Sequence, residues 1–243
     1  EEYTEEDTVE DYPVSVFLSN EGYLKKITPQ SLRMSSEQKF KDGDALKMSF
    51  EATNRTELLV FTDRQQVYKT RLSDFDDTKA SALGAYLPTK LSMDDGERVL
   101  EIICPGNYRK NLLLFFENGK VARLDLESYE TKTNRKKLIN AYSDKSPLAA
   151  VYMISEEIDM AVFASDGRAL VFNTTLLQVK TSRSTQGVGV MSLKKNSRVT
   201  SAAPLADTVI KNISRYRVRS LPAAGALLKE DDRGETQLSL MDD

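Results

Sequence analysis

The feature that most constrains this chain is a repeat of β-hairpin signals at a spacing near 50 residues. Runs of apolar, β-branched and aromatic residues occur in pairs at 14–18 and 23–27, 58–61 and 66–72, 112–116 and 120–126, and 160–163 and 169–172. Each pair is broken by a short polar link that reads as a tight turn. If Gly22, Gln65, Gly119 and Gly167 are equivalent, the steps are 43, 54 and 48 residues. A second series keeps its own phase. Polar turns around Gly43, Gly96, Asp144 and Asn196 lead into strands at 45–50, 99–103, 148–154 and 199–203. No long segment has apolar residues at helical spacing. A unit of this size cannot cover its own apolar face, so neighbouring units must stack, and about four strands per 40–50 residues is the pattern of β-propeller blades.

The expected fold is therefore all-β, a propeller of about four clear blades. A partial fifth unit is expected around Ser214–Arg219, which leaves both a closed ring and an open arc open. Residues 1–11 read as an acidic N-terminal segment, 12–225 as the folded domain, and 226–243 as an acidic, disordered tail. The chain opens on Glu1 rather than Met, as expected of a piece of a longer protein.

Charge argues in the same direction once it is located. The formal net charge is −3. Seven acids and no base fall in residues 1–11, and six acids with one base in 230–243. Residues 12–229 then hold 33 bases against 24 acids. Two acidic ends enclose a basic body. Other totals exclude whole classes. With no His there is no Ser-His-Asp triad and no His-ligated metal, and one cysteine, Cys104, permits neither an intrachain disulfide nor a zinc cluster. No apolar run reaches membrane-helix length, and no signal peptide is expected. Asp94, Asp95 and Glu97 sit at a repeat-equivalent turn, which favours a turn role over acid–base chemistry.

The bases follow the repeat. Loops after successive hairpins carry Arg33, Lys39 and Lys41, then Lys79, then Lys132, Arg135, Lys136 and Lys137, then Lys180 and Arg183. The strands add Lys25, Lys26, Lys69, Arg71, Arg123 and Arg168. Equivalent positions of stacked repeats emerge on one side, and a curved row of cations suits the phosphates of a bent duplex.

Four motifs give this pattern a relative. The run Asn20-Glu21-Gly22-Tyr23-Leu24-Lys25-Lys26 resembles the Gly-Tyr-x-Lys-Arg opening of the C-terminal domain of the A subunits of bacterial type IIA DNA topoisomerases, that is, of DNA gyrase and topoisomerase IV. The stretch 79–99, with Gly84, Pro88, Leu91 and Gly96 to Val99, is similar to the family's second repeat. Asn134 to Ile139 is similar to the third, and Arg183-Ser184-Thr185-Gln186-Gly187-Val188 to a late one. The resemblance covers residues 12 to about 205. It implies a β-pinwheel, in which neighbouring blades exchange strands, and a non-catalytic module that binds and bends duplex DNA for a cleavage core outside this chain. Implied partners are double-stranded DNA, the rest of the topoisomerase A subunit and the separate ATPase (B) subunit. ATP and Mg are implied only for the whole enzyme, with no cofactor in this domain. The expected setting is the cytoplasm at the nucleoid, as a monomeric fragment without membrane contact. Gyrases carry a Q-R-R-G-G-K-G box in the first loop. Here residues 33–44 contain no such box, which favours a topoisomerase IV-like role. The alternative from a different class is a propeller scaffold for protein partners.

Overall fold

The computed structural model describes residues 8–133 and 135–234. Its strands in chain order are β1 (Pro13–Ser19), β2 (Tyr23–Ile27), β3 (Leu46–Thr53), β4 (Glu57–Thr62), β5 (Val67–Arg71), β6 (Ala85–Tyr86), β7 (Val99–Ile103), β8 (Asn111–Phe116), β9 (Lys120–Asp125), β10 (Lys137–Leu138), β11 (Leu148–Ile154), β12 (Asp159–Ala164), β13 (Arg168–Asn173), β14 (Val179–Lys180), β15 (Val188–Gly189), β16 (Val199–Pro204) and β17 (Ala226–Leu227). Short helices α1 (Pro29–Met34), α2 (Leu87–Lys90) and α3 (Ile213–Tyr216) lie in the connections.

The strands form four sheets, ordered β3-β1-β2-β6, β10-β5-β4-β7, β11-β8-β9-β14 with β15 also on β9, and β16-β12-β13-β17. All four hairpins predicted from the sequence are present. Their turn residues Gly22, Gln65, Gly119 and Gly167 share positive φ values of 99°, 54°, 86° and 84°. That conformation suits glycine and explains why three of the four are glycine. The central strands β4, β8 and β12 are buried at every position but the first, which is how a continuous apolar run reads when both faces of a strand are covered.

Two compact units result. The first comprises Glu1–Asn107 with Thr131–Ile139, and holds the first two sheets. Its core packs Val14, Val16, Leu18 and Leu24 with Leu58, Val60, Tyr68 and Ile102. The second comprises Tyr108–Glu130 with Asn140–Asp243. Its core packs Leu113, Phe115 and Val121 with Met160, Val162, Leu170 and Phe172.

Each sheet has the same plan. A hairpin supplies two inner strands, a later strand adds on one side, and a very short strand closes the other side, next to the hairpin's second strand. In the first three sheets that short strand comes from beyond the next hairpin in sequence: β6 follows β5 but pairs with β2, β10 follows β9 but pairs with β5, and β14 follows β13 but pairs with β9. This exchange of strands is the pinwheel arrangement the resemblance implied.

The expected partial fifth unit is corrected by the structure. Residues 214–219 begin no new sheet. Arg217 bridges Val171, and β17 pairs with β13, so the segment closes the fourth sheet. Its apolar residues Ile210, Tyr216 and Leu228 cover the second face of that sheet over Ala161, Phe163, Ala169 and Val171. A terminal repeat must end in something that hides its open face, and a cap of this kind does so without another hairpin. The boundary placed at 226 therefore falls inside the fold. β17 and a 3-10 turn at Glu230–Asp232 belong to the cap, and Asp232 is buried. At the other end, the backbone carbonyl of Glu10 and the carboxylate of Asp11 accept hydrogen bonds from Asn54 and Arg55, so these acids are part of the first unit. The remaining acids of both terminal segments, 1–7 and 235–243, lie outside the described residues.

Candidate nucleic-acid interface

The segment that returns to close a sheet forms a strap along its outer edge. In three sheets it first touches the hairpin's second strand in parallel, and then pairs antiparallel nearer the turn. On the first sheet Asp77 bridges Lys26, after which Ala85 and Tyr86 pair with Leu24 and Tyr23. On the third, Val179 and Lys180 run beside Arg123 and Leu124, and Val188 then faces Val121. On the fourth, Arg217 meets Val171, and Ala226 then faces Ala169. Three straps enter their strand through a glycine with positive φ: Gly84, Gly187 and Gly225, at 94°, 75° and 73°. A Cβ there would lie 2.4 Å from the Leu24 carbonyl oxygen, 2.2 Å from that of Val121 and 2.4 Å from that of Ala169. No side chain fits such gaps. The second sheet departs from this pattern, with Lys136 at the equivalent place and its carbonyl accepting from the Lys69 N–H at 2.8 Å.

These straps carry much of the repeat-phased charge. Lys79 lies on the first, Lys132, Arg135, Lys136 and Lys137 on the second, and Lys180 and Arg183 on the third. The loop read as belonging to the third repeat therefore sits on the second sheet, because the strand is exchanged. Lys79, Lys132, Arg135, Lys136 and Lys180 are exposed. Arg183 is half-buried with its guanidinium 5.7 Å from the centre of the Tyr129 ring. Lys137 is half-buried between the Tyr68 ring and Asp94, 3.6 Å from the carboxylate. Arg33, Lys39 and Lys41 lie on the connection between β2 and β3, and all three are exposed. Accessible cations of this kind bind phosphate without reading bases.

Two of the strand lysines do not face solvent. Lys25 and Lys26 are each 2% exposed. The Lys25 ammonium donates to the carbonyls of Lys39 at 2.7 Å and Ala80 at 2.8 Å, and to Gln38 at 3.1 Å. Burial lowers its pKa. Lys26 donates to Asn54 at 2.6 Å and to the Leu72 carbonyl at 3.0 Å, and lies 3.4 Å from Asp77. A buried ammonium persists only when its protons are matched in this way, so both fasten the first strap and are withdrawn from the solvent-accessible cations.

Four more strand cations have internal partners. Arg123 forms a bidentate pair with Glu157 at 2.8 and 2.9 Å and also donates to the Thr174 carbonyl. Lys69 lies 3.7 Å from Glu57, Arg168 lies 3.5 Å from Asp166, and Arg71 donates to the Arg55 carbonyl. The fourth strap adds exposed Arg219, which the repeat-phased loops did not single out. The alternation of Arg215, Arg217 and Arg219 is its only sequence signal; of these, Arg217 is paired with Asp159 at 2.9 Å.

The acidic turn at 94–97 is structural. Glu97 is 4% exposed and accepts from Thr62, from Gln66 at 2.9 Å, from Tyr68 at 2.7 Å and from the Asp94 N–H at 3.0 Å. Among the described residues no group of three or more His, Cys, Asp or Glu could hold a metal, and no helix is long and apolar enough to cross a membrane.

Known proteins share this architecture. Residues 56–84 and 159–206 match the family described as DNA gyrase C-terminal domain, beta-propeller. The A subunit of DNA gyrase from Metamycoplasma arthritidis is 24% identical over 95% of this chain, and the A subunit of DNA topoisomerase 4 from Bacillus subtilis is 24% identical over 86%. The chain spans 28% and 27% of the length of those two relatives. Among solved structures, a C-terminal domain of DNA topoisomerase IV superposes with a TM-score of 0.76 at 19% identity, covering 90% of this chain and 73% of that one. A DNA gyrase A C-terminal domain gives 0.64 at 16% identity, covering 91% and 80%. In two separate repeats, along most of its length and in its fold, the chain is similar to the C-terminal domains of the A subunits of DNA gyrase and topoisomerase IV.

Proposed function

We propose that this chain is a non-catalytic module that binds and bends duplex DNA, largely without regard to sequence, for an ATP-dependent type IIA topoisomerase. It presents a DNA segment to a cleavage core supplied by the rest of the topoisomerase A subunit, with the B subunit as the ATPase and the nucleoid as its place of work. The observation that carries this reading is the strap. A repeated sheet edge carries exposed Lys79, then Lys132, Arg135 and Lys136, then Lys180, with Arg219 on the cap. Phosphate contacts from such exposed cations release counterions, so affinity depends steeply on salt.

The test is a titration of labelled duplexes of unrelated sequence at several salt concentrations. Equal affinities with a steep salt slope support the reading. Failure to bind duplex at low salt removes it, and a protein partner captured independently of nuclease and salt would favour the scaffold function instead.

A topoisomerase IV-like role is supported by the first loop. Residues 33–44 contain one glycine, Gly43, and no Q-R-R-G-G-K-G box. Few positions there let the backbone approach phosphate closely. The whole enzyme is expected not to introduce negative supercoils; negative supercoiling of relaxed circles would overturn this assignment.

A further inference from the structure

One cleft in the first unit differs chemically from the straps. Tyr23 on β2 and Tyr86 on β6 are paired across the strands, with ring centroids 4.8 Å apart and planes at 29°. Tyr86 remains 42% exposed, so much of its ring has no protein partner. The Lys41 ammonium lies 5.4 Å from the centre of the Tyr23 ring. Both rings line an open cleft of about 480 Å³ together with Glu21, Asp44, Lys41 and Arg98. Glu21, Lys41 and Arg98 are exposed, and the Asp44 carboxylate accepts the backbone N–H groups of Glu21 at 3.1 Å and Ala45 at 2.8 Å.

Cations alone are enough to hold a phosphate. A cleft that combines an open aromatic stack, a carboxylate and two cations offers more. The ring supplies a stacking surface, and stacking tolerates any base because every base has a π-face. The carboxylate accepts a hydrogen bond, and every base carries an N–H on its Watson–Crick edge. Lys41 and Arg98 are placed to neutralise the phosphates on either side. A paired base inside a duplex shows neither its face nor that edge.

We propose that this cleft takes a single unpaired nucleobase of DNA, stacked on Tyr86, with Glu21 as acceptor for its edge and Lys41 and Arg98 for the flanking phosphates. The inference rests on the nucleic-acid reading but makes a separate demand, since the straps grip duplex and the cleft requires an unpaired strand.

The experiment compares an oligothymidine strand with a mixed-sequence duplex, each titrated against the full chain and against Tyr86→Ala and Tyr86→Phe. Loss of one stacked base should weaken oligothymidine binding about tenfold in Tyr86→Ala. Tyr86→Phe should bind like the parent, and duplex affinity should be equal in all three. Equal oligothymidine affinity in the parent and Tyr86→Ala overturns the proposal, as does an equal loss for both probes. A second measurement needs no variant. The chain has ten tyrosines and no tryptophan, so its emission is that of tyrosine. Oligothymidine should quench part of it and duplex should not; absence of quenching at saturating oligothymidine overturns the proposal. If duplex fails to bind while Tyr86-dependent oligothymidine binding persists, the duplex reading falls and the cleft assignment stands.

Discussion

The Lys25 ammonium lies 2.8 Å from the carbonyl oxygen of Ala80, a residue 55 positions further along the chain. The bond joins β2 to the strap that crosses it, and the same strap carries exposed Lys79. Stability and the display of charge are thus coupled at one point.

Replacing Lys25 with Ala removes the ammonium donor from the Lys39 carbonyl and from the Ala80 carbonyl, which keeps only the Lys39 N–H at 2.9 Å. A loss of about 2–4 kcal/mol in unfolding free energy is expected, from the lost hydrogen bonds and the vacated volume. Urea denaturation measures it. Residual folded protein should keep its duplex affinity. A stable variant with weakened duplex binding would return Lys25 to the phosphate-facing set.

Of the three glycines through which straps enter their strand, Gly187 lies closest to its sheet. With φ at 75° and a Cβ position 2.2 Å from the Val121 carbonyl oxygen, Gly187→Ala must displace the third strap. The expected cost is about 2–4 kcal/mol, combining overpacking with backbone strain. Gly84→Ala and Gly225→Ala should behave alike. Gly43→Ala is the control, since nothing lies within 4 Å of its Cβ position and only its φ of 82° opposes the change. Equal destabilisation at Gly43 and Gly187 would show that backbone strain alone is responsible.

The second strap supplies the sharpest test of the exposed cations. Lys132, Arg135 and Lys136 are all exposed, and replacing the three with Ala should reduce the slope of log affinity against log salt by about 2–3, near 0.9 for each lost phosphate contact. Denaturation midpoints should hardly move, because exposed cations contribute little to stability. An unchanged slope would place the DNA path elsewhere.

Asp232 makes the cap pH-dependent. Burial alone would raise its pKa, but the Tyr216 hydroxyl at 2.6 Å, the N–H groups of Lys211 and Asn212, and the Asn212 amide outweigh burial and hold the carboxyl far below its usual value. A carboxylate depressed in the folded state stabilises fully above its unfolded pKa, 3.8, and loses that contribution as pH falls below it toward the folded value. Unfolding midpoints of the parent should therefore drop on acidification below about pH 3.8, whereas Asp232→Asn should start lower and show a shallower drop. Parallel pH curves for the two proteins would rule out this role for Asp232.

The sequence by itself determined what is local. Apolar runs, polar links and the phase of Gly22, Gln65, Gly119 and Gly167 dictate four hairpins, because a turn with positive φ between two strand-forming runs has few other solutions. Composition placed the positive charge in the body and in the loops. What the tertiary structure decided is which of those charges meet solvent. Lys25 and Lys26 are consecutive on β2, so alternation sends them to opposite faces, and a local reading leaves at least one exposed. Both are buried because Ala80 and Asp77, more than 50 residues away, arrive on an exchanged strap and supply the acceptor or counter-ion. The same non-local pairing moved the 132–137 loop onto the second sheet and turned the expected fifth repeat into a cap. Repeat phase is written in neighbouring residues, whereas strand exchange is set by which distant edge remains unpaired, and no short stretch of sequence records that.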